Sequence, residues 1–79
     1  MSQIEKKVEK FLKNPTSSKL ADILLILKHY GFEKIPAKGS HIKFKHSQLQ
    51  LDLVIPVHNN DCKPFYKKEV EKQIKKISK

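Results

Sequence analysis

A chain of 79 residues with 17 lysines, no arginine and eight acidic residues carries a formal net charge of +9 at pH 7. This length allows one small domain, because such a chain buries only about 60% of its unfolded surface and cannot build two cores. One cysteine excludes an intramolecular disulfide, and no segment approaches the ~20 apolar residues of a membrane span. We expect a cytoplasmic protein that attracts polyanions such as nucleic acid, although coding bias explains part of the lysine excess.

The N-terminal segment predicts a short amphipathic helix that ends at Asn14-Pro15 and carries lysines on its opposite face. Its apolar residues recur with helical spacing at Ile4, Val8, Phe11 and Leu12. We interpret residues 1–15 as a helical extension that packs onto its own domain. The alternative is that it presents its apolar face to a partner helix.

A second helix is predicted from the next segment to about Tyr30, with Gly31 as its stop. Three hydroxyl residues offer N-caps, namely Thr16, Ser17 and Ser18. Its apolar stripe consists of Leu20, Ile23, Leu24 and Leu27. Leu25 and Ile26 widen this face, so we expect a sheet and at least one other helix to cover it.

Residues 32–38, 41–46 and 48–57 are three β-rich runs that predict a three-stranded antiparallel meander. In the second run Ile42 and Phe44 share one face, and the other face carries His41, Lys43 and Lys45. The third run keeps the same alternation at Leu49, Leu51, Leu53, Ile55 and Val57. One apolar face suits a sheet that is backed by helices on one side.

Asn59-Asn60-Asp61 predicts a loop, and Lys63-Pro64 opens a last helix. The buried stripe of this helix is expected at Tyr66, Val70, Ile74 and Ile77. Its remaining faces are expected to expose Lys67, Lys68, Lys72, Lys75, Lys76 and Lys79. Residues 16–79 thus predict an α+β domain of order αβββα with helices on one face of the sheet, like a double-stranded-RNA-binding domain, preceded by an extra helix.

One histidine stands directly after a glycine turn, at the start of a lysine-rich strand. His41 is the candidate catalytic residue, because imidazole titrates near neutral pH and can exchange a proton with a ribose hydroxyl. The candidate RNA-binding residues around it are Lys38, Gly39, Ser40, Lys43 and Lys45. Glycine allows close approach of the backbone to a phosphate, and serine offers a hydroxyl, but both residues fit a plain tight turn equally well.

The other histidines and the cysteine give weaker signals. His58 is a possible second proton carrier if it lies within reach of His41, although a histidine bonded to backbone at a strand end is the simpler interpretation. His46 is interpreted as structural, and Cys62 receives no role. No pair of residues has short zinc-ligand spacing, so we expect neither a metal nor another cofactor.

Together, these motifs resemble the HicA family of small toxins from bacterial and archaeal toxin-antitoxin systems. The matching strings are Gly31-Phe32, Lys38-Gly39-Ser40-His41, Phe44-Lys45-His46, Ile55-Pro56-Val57-His58 and Lys63-Pro64. The resemblance covers about residue 17 to the C-terminus, and the N-terminal helix is similar to an extension found in one branch of the family.

The resemblance implies a double-stranded-RNA-binding fold and an mRNA interferase, an endoribonuclease that cleaves messenger RNA without a metal ion. It assigns the catalytic histidine to His41 and implies a HicB-like antitoxin that covers this site. Such a protein arrests translation until its antitoxin neutralises it. Many relatives have arginines near the hairpin and a second histidine after the first, where this chain has Lys34, Lys38 and Ile42.

Two other functions are compatible with the same residues. A non-catalytic RNA-binding module would use the lysines of the last helix to grip A-form phosphates by shape. A protein-interaction subunit would use its positive charge only to bind an acidic partner.

Overall fold

A computed structural model describes residues 2–77. The first residue of the predicted segment 1–15 and the last two residues of the predicted segment 16–79, which include Lys79, lie outside the described residues. The elements are α1 (Gln3–Lys13), a 3₁₀ turn (Pro15–Ser17), α2 (Leu20–His29), β1 (Glu33–Ile35), β2 (His41–Lys45), β3 (Leu53–Pro56) and α3 (Pro64–Ile77). The strands form one antiparallel sheet in the order β1-β2-β3. The predicted αβββα fold with an additional N-terminal helix is therefore confirmed.

The central strand β2 divides its side chains between two faces of the sheet. Ile42 pairs with Ile55, and Phe44 pairs with Leu53, so these four residues point to the same side. Three of them belong to the buried core, and Ile42 packs against it. Residues of all three helices complete that core, which leaves His41, Lys43 and Lys45 on the uncovered outer face.

Helix α1 forms as predicted and packs onto the rest of the domain. Its buried face centres on Phe11, which is fully buried in the common core. Lys7 Nζ contacts Asp22 Oδ1 of α2 at 2.9 Å, and the Ser2 hydroxyl caps the helix by accepting from the Glu5 N–H at 3.3 Å. The division into an extension of residues 1–15 and a domain of residues 16–79 stays a prediction.

The predicted N-cap of α2 is wrong. The hydroxyl segment forms the 3₁₀ turn instead, and α2 begins at Leu20 after Lys19, whose side chain makes no capping bond. The Leu20 N–H donates to Asp61 Oδ1 at 3.2 Å. A carboxylate 41 residues away in sequence therefore satisfies an N–H that a local cap would normally satisfy.

The predicted end of α2 is confirmed. Gly31 has a φ of +88°, and its N–H donates to the Lys28 carbonyl at 3.1 Å. The Phe32 N–H donates to the Leu27 carbonyl at 3.0 Å, which completes a Schellman motif. The apolar face is narrower than expected, however, because Leu25 remains 51% exposed.

Two strands are shorter than predicted. β1 stops at Ile35 because Pro36 has no N–H to continue a ladder. The third run forms a strand only from Leu53 onward, and Leu51 is 84% exposed instead of buried. Residues 47–52 turn and bend, since the Leu49 N–H bonds the His46 carbonyl at 3.0 Å.

His46 has the structural role that was expected of it. Its Nδ1 accepts the Gln48 N–H at 3.1 Å, so the neutral ring carries its proton on Nε2 and donates to the Tyr30 carbonyl at 2.9 Å. The imidazole thereby joins the turn after β2 to the end of α2.

The last helix opens at Pro64 as predicted, with Val70 and Ile74 fully buried. The expectation that Lys67 is exposed is wrong, because Lys67 is buried and only 6% of its surface is exposed. Its ammonium contacts Asp61 Oδ1 at 3.2 Å. Among residues 2–77, no helix has the length and apolar character needed to cross a membrane.

Candidate active site

A tight turn places His41 at the start of β2. The His41 N–H donates to the Lys38 carbonyl at 3.4 Å across Gly39 and Ser40. Gly39 has a φ of +64°, whereas Ser40 does not adopt a positive φ, the pattern of a type II′ turn. A Cβ at Gly39 would meet no atom within 4 Å. The left-handed φ therefore explains this glycine, and the space on the side of a Cβ is open.

The His41 side chain is exposed on the outer face, in the pair that joins it to Pro56 of β3. Within residues 2–77, the hydrogen bonds made by imidazole rings are those of His46. The rings of His41 and His58 are exposed and make no hydrogen bond within this part of the chain. The catalytic role of His41 stays a prediction.

His58 lies at the same end of the sheet as His41. The ladder continues one step beyond β3, where the Val57 N–H donates to the Ser40 carbonyl at 2.9 Å. Pro56 is opposite His41, and His58 follows Pro56 by two residues. His58 itself lies just beyond β3, where it pairs with Asp61 in an isolated bridge and not with a residue of β2.

A second tight turn holds His58 in position. Asn59 and Asn60 have φ values of 52° and 61°, and the flanking residues His58 and Asp61 exchange two backbone hydrogen bonds of 2.7 and 3.0 Å. This is the geometry of a type I′ turn, in which asparagine is favoured at both central positions. The predicted loop at residues 59–61 is confirmed.

The Asp61 carboxylate anchors that turn to two helices. Its Oδ1 accepts the Cys62 N–H at 2.8 Å and contacts Lys67 Nζ at 3.2 Å, in addition to the Leu20 N–H. The Cys62 N–H and the Lys67 ammonium lower the pKa of Asp61, although partial burial acts in the opposite direction. The cluster of Asp61, Lys67 and Leu20 therefore joins the end of the sheet that carries His58 to α2 and α3.

The two predicted RNA-binding lysines of β2 both have carboxylate partners. Lys43 Nζ lies 3.5 Å from Asp52 Oδ2, and Lys45 Nζ lies 3.6 Å from Glu33 Oε2. Lys38 is exposed and has no ion pair within the described part of the chain. Sequence analysis missed both carboxylates, because their proximity depends on the register of the strands: Glu33 is directly opposite Lys45.

The remaining candidate groups do not add to the site. Cys62 is buried, and burial raises the pKa of its thiol; the charge of Asp61 acts in the same direction, while Lys67 opposes it. The thiol is therefore protonated near neutral pH and is a poor nucleophile. Among the described residues, no three histidine, cysteine or acidic side chains are grouped closely enough to hold a metal ion.

Comparisons with known proteins identify the family. A family sequence model described as the HicA toxin of bacterial toxin-antitoxin systems matches residues 21–76. The match spans most of α2, the whole sheet and nearly all of α3, and α1 precedes it. Searches of the curated proteins and of the solved structures gave no match. This chain belongs to the HicA toxin family, whose members are toxins of toxin-antitoxin systems and so act beside an antitoxin.

Proposed function

We propose that this toxin is a metal-independent endoribonuclease that cleaves messenger RNA and thereby inhibits translation, with His41 at its centre. The observation that supports this best is an exposed imidazole beside a left-handed glycine turn, in a chain of net charge +9 that belongs to a toxin family. RNA supplies the phosphates that this charge attracts, and the proposed site of action is the cytoplasm.

The reaction consistent with these residues is an in-line transfer within the RNA. The 2′-oxygen attacks the neighbouring phosphorus as a base removes its proton, the bond from phosphorus to the 5′-oxygen breaks, and an acid protonates that oxygen. His41 is suited to one of these proton transfers. His58, at the same end of the sheet, is our candidate for the other.

Charge on the phosphorane-like transition state needs stabilisation by donors beside His41. Lys38 supplies an ammonium without a carboxylate partner among residues 2–77, and the open backbone at Gly39 gives a phosphate access to the turn. The Ser40 hydroxyl is a further donor. Lys43 and Lys45 are proposed to contact neighbouring phosphates once they leave their carboxylate partners.

The partner expected for this site is a HicB-like antitoxin that covers His41. Membership of the family implies an antitoxin, and an acidic surface on it would complement the basic toxin. Bound over the turn at Lys38–His41, such a partner would block both the imidazole and the phosphate contacts.

The test is cleavage of a labelled single-stranded RNA in the presence of a chelator. Loss of the proton-transfer group in His41→Ala should lower the cleavage rate about 10²- to 10⁴-fold. His29→Ala is the matched control, because it removes an exposed histidine of α2 and should cut at the parental rate. Equal melting temperatures would exclude unfolding as the cause. Cleavage by His41→Ala at the parental rate would refute the assignment.

A second candidate is a non-catalytic RNA-binding module. Lys68 and Lys72 favour it, because they are exposed one helical turn apart on α3 and have no ion pair within residues 2–77. The cleavage assay and a binding measurement on the same RNA separate the candidates. Binding without cleavage by the parent would favour the module, and negligible RNA affinity at low salt would favour a protein-interaction subunit.

A further inference from the structure

The outer face of the sheet is not uniformly basic. Across the strands, its residues form rows that differ in charge from one end to the other. The row nearest the turn at residues 38–41 pairs His41 with Pro56, and neither residue is acidic. At the opposite end of the sheet, Lys45 pairs with Glu33 of β1. On the other side of β2, Leu53 is the partner of Phe44, so Asp52, one residue before Leu53, lies beside Lys45.

Both lysines of this face point toward that acidic end. Lys45 Nζ lies 3.6 Å from Glu33 Oε2 on the neighbouring strand β1. Lys43 stands between His41 and Lys45 on β2, yet its ammonium reaches back to Asp52 at 3.5 Å, away from His41. The side chains of Asp52 and Glu33 are 40% and 70% exposed, so water screens both pairs and a stronger anion can replace either carboxylate.

We propose that Asp52 and Glu33 are positioning residues that hold Lys43 and Lys45 away from RNA phosphates. They thereby lower the RNA affinity of the free toxin and direct the RNA backbone to the end of the sheet that carries His41. This inference rests on the proposed function, since it concerns how the same face binds RNA.

The physical basis is competition for each lysine. A phosphate that approaches Lys43 or Lys45 must displace a carboxylate that is already in contact, and it meets repulsion from that carboxylate once displaced. Lys38 has no such competitor among the described residues. Phosphate binding is therefore favoured at the turn beside His41 and opposed at Lys43 and Lys45.

The test measures binding of a fluorescent single-stranded RNA by anisotropy, with a chelator present, in His41→Ala protein so that the probe stays intact. Asp52→Asn and Glu33→Gln together should tighten binding about 10-fold and steepen the salt dependence by up to about 1.4, since each new phosphate contact adds about 0.7 on a single strand. Glu9→Gln is the matched control for net charge, because Glu9 pairs with Lys13 on α1 at 3.5 Å. Loss of its one charge should change affinity less than about 2-fold.

A second variant tests whether the effect passes through the lysine. If Asp52 acts by holding Lys43, the gain from Asp52→Asn should disappear when Lys43→Ala is also present. A gain in binding free energy no larger than twice that of Glu9→Gln, or a gain that persists without Lys43, would overturn the proposal.

Cleavage by the parent reports separately on the proposed function. If the parent binds RNA without cutting it and the carboxylate variants bind tighter, the inference holds and the catalytic proposal fails. If the parent cuts RNA and the carboxylate variants bind it no more tightly than Glu9→Gln, the catalytic proposal holds and the inference fails. If neither the parent nor the double variant binds RNA, both are wrong.

Discussion

The two faces of the sheet use the same strands for different purposes. Along β2, Ile42 and Phe44 point into the core, and the alternate residues His41, Lys43 and Lys45 point to solvent. The inner face meets residues of three helices, whereas no helix among residues 2–77 covers the outer face. One strand thus contributes to stability through every second residue and to the candidate active site through the others.

Ion pairs show the same contrast. Lys67 has a side chain only 8% exposed and shares Asp61 with two backbone N–H groups, so its partner is needed to keep a buried charge paired. Lys43 and Lys45 have side chains 40% and 54% exposed, and each makes one contact longer than 3.4 Å. The ion pair on the covered side keeps a buried ammonium paired, whereas the ion pairs on the outer face are longer and are exposed to water.

Phe11→Ala should have the largest effect on stability. Its ring is fully buried in the core, and its removal should lower the free energy of unfolding by about 3–5 kcal/mol. Urea denaturation followed by circular dichroism measures this change. Phe65→Ala is the control, because that ring is 63% exposed and should cost less than about 0.5 kcal/mol. Similar small losses for both variants would mean that residues 1–15 are a dispensable extension.

Asp61→Asn should have a smaller effect, about 1–2 kcal/mol at pH 7, because the Asp61 side chain is 45% exposed and water screens part of the interaction. The folded state lowers the pKa of Asp61, so its stabilisation is complete above the unfolded pKa of about 3.9 and is lost as pH falls through the folded pKa. The difference between the parent and the variant should therefore shrink in acid, as measured by urea denaturation from pH 7 to pH 3.

Lys67→Met provides the comparison for Asp61→Asn. It removes the same ion pair but leaves no buried charge, so it should cost less than the change at Asp61. A larger loss for Lys67→Met, or a loss for Asp61→Asn that does not depend on pH, would contradict this account of the cluster.

Lys43→Ala and Lys45→Ala should have the smallest effect on stability. Their exposed ion pairs are screened, so each change should alter the free energy of unfolding by less than about 0.5 kcal/mol. Melting temperatures compared with the parent measure this directly. A loss above 1 kcal/mol for either would show that the outer face also contributes to stability and would weaken the contrast between the two faces.

Much of the fold follows from local pattern. Helical spacing of apolar residues identified α1 and the buried stripe of α3, and Gly31 marked the end of α2 because a left-handed residue was needed there. Alternation along residues 41–45 assigned both faces of β2. These features depend on backbone geometry and on neighbours within a few residues, which a sequence displays directly.

Three features depended on partners that are distant along the chain. Asp61 accepts the N–H of Leu20 at the start of α2, Asp61 also pairs with the buried Lys67, and Asp52 contacts Lys43 across the sheet. By itself, the sequence determined the order and type of the elements and the turn that presents His41. Only the tertiary structure decided which charges are paired, because periodicity records which face a residue occupies and contains no information on what meets that face.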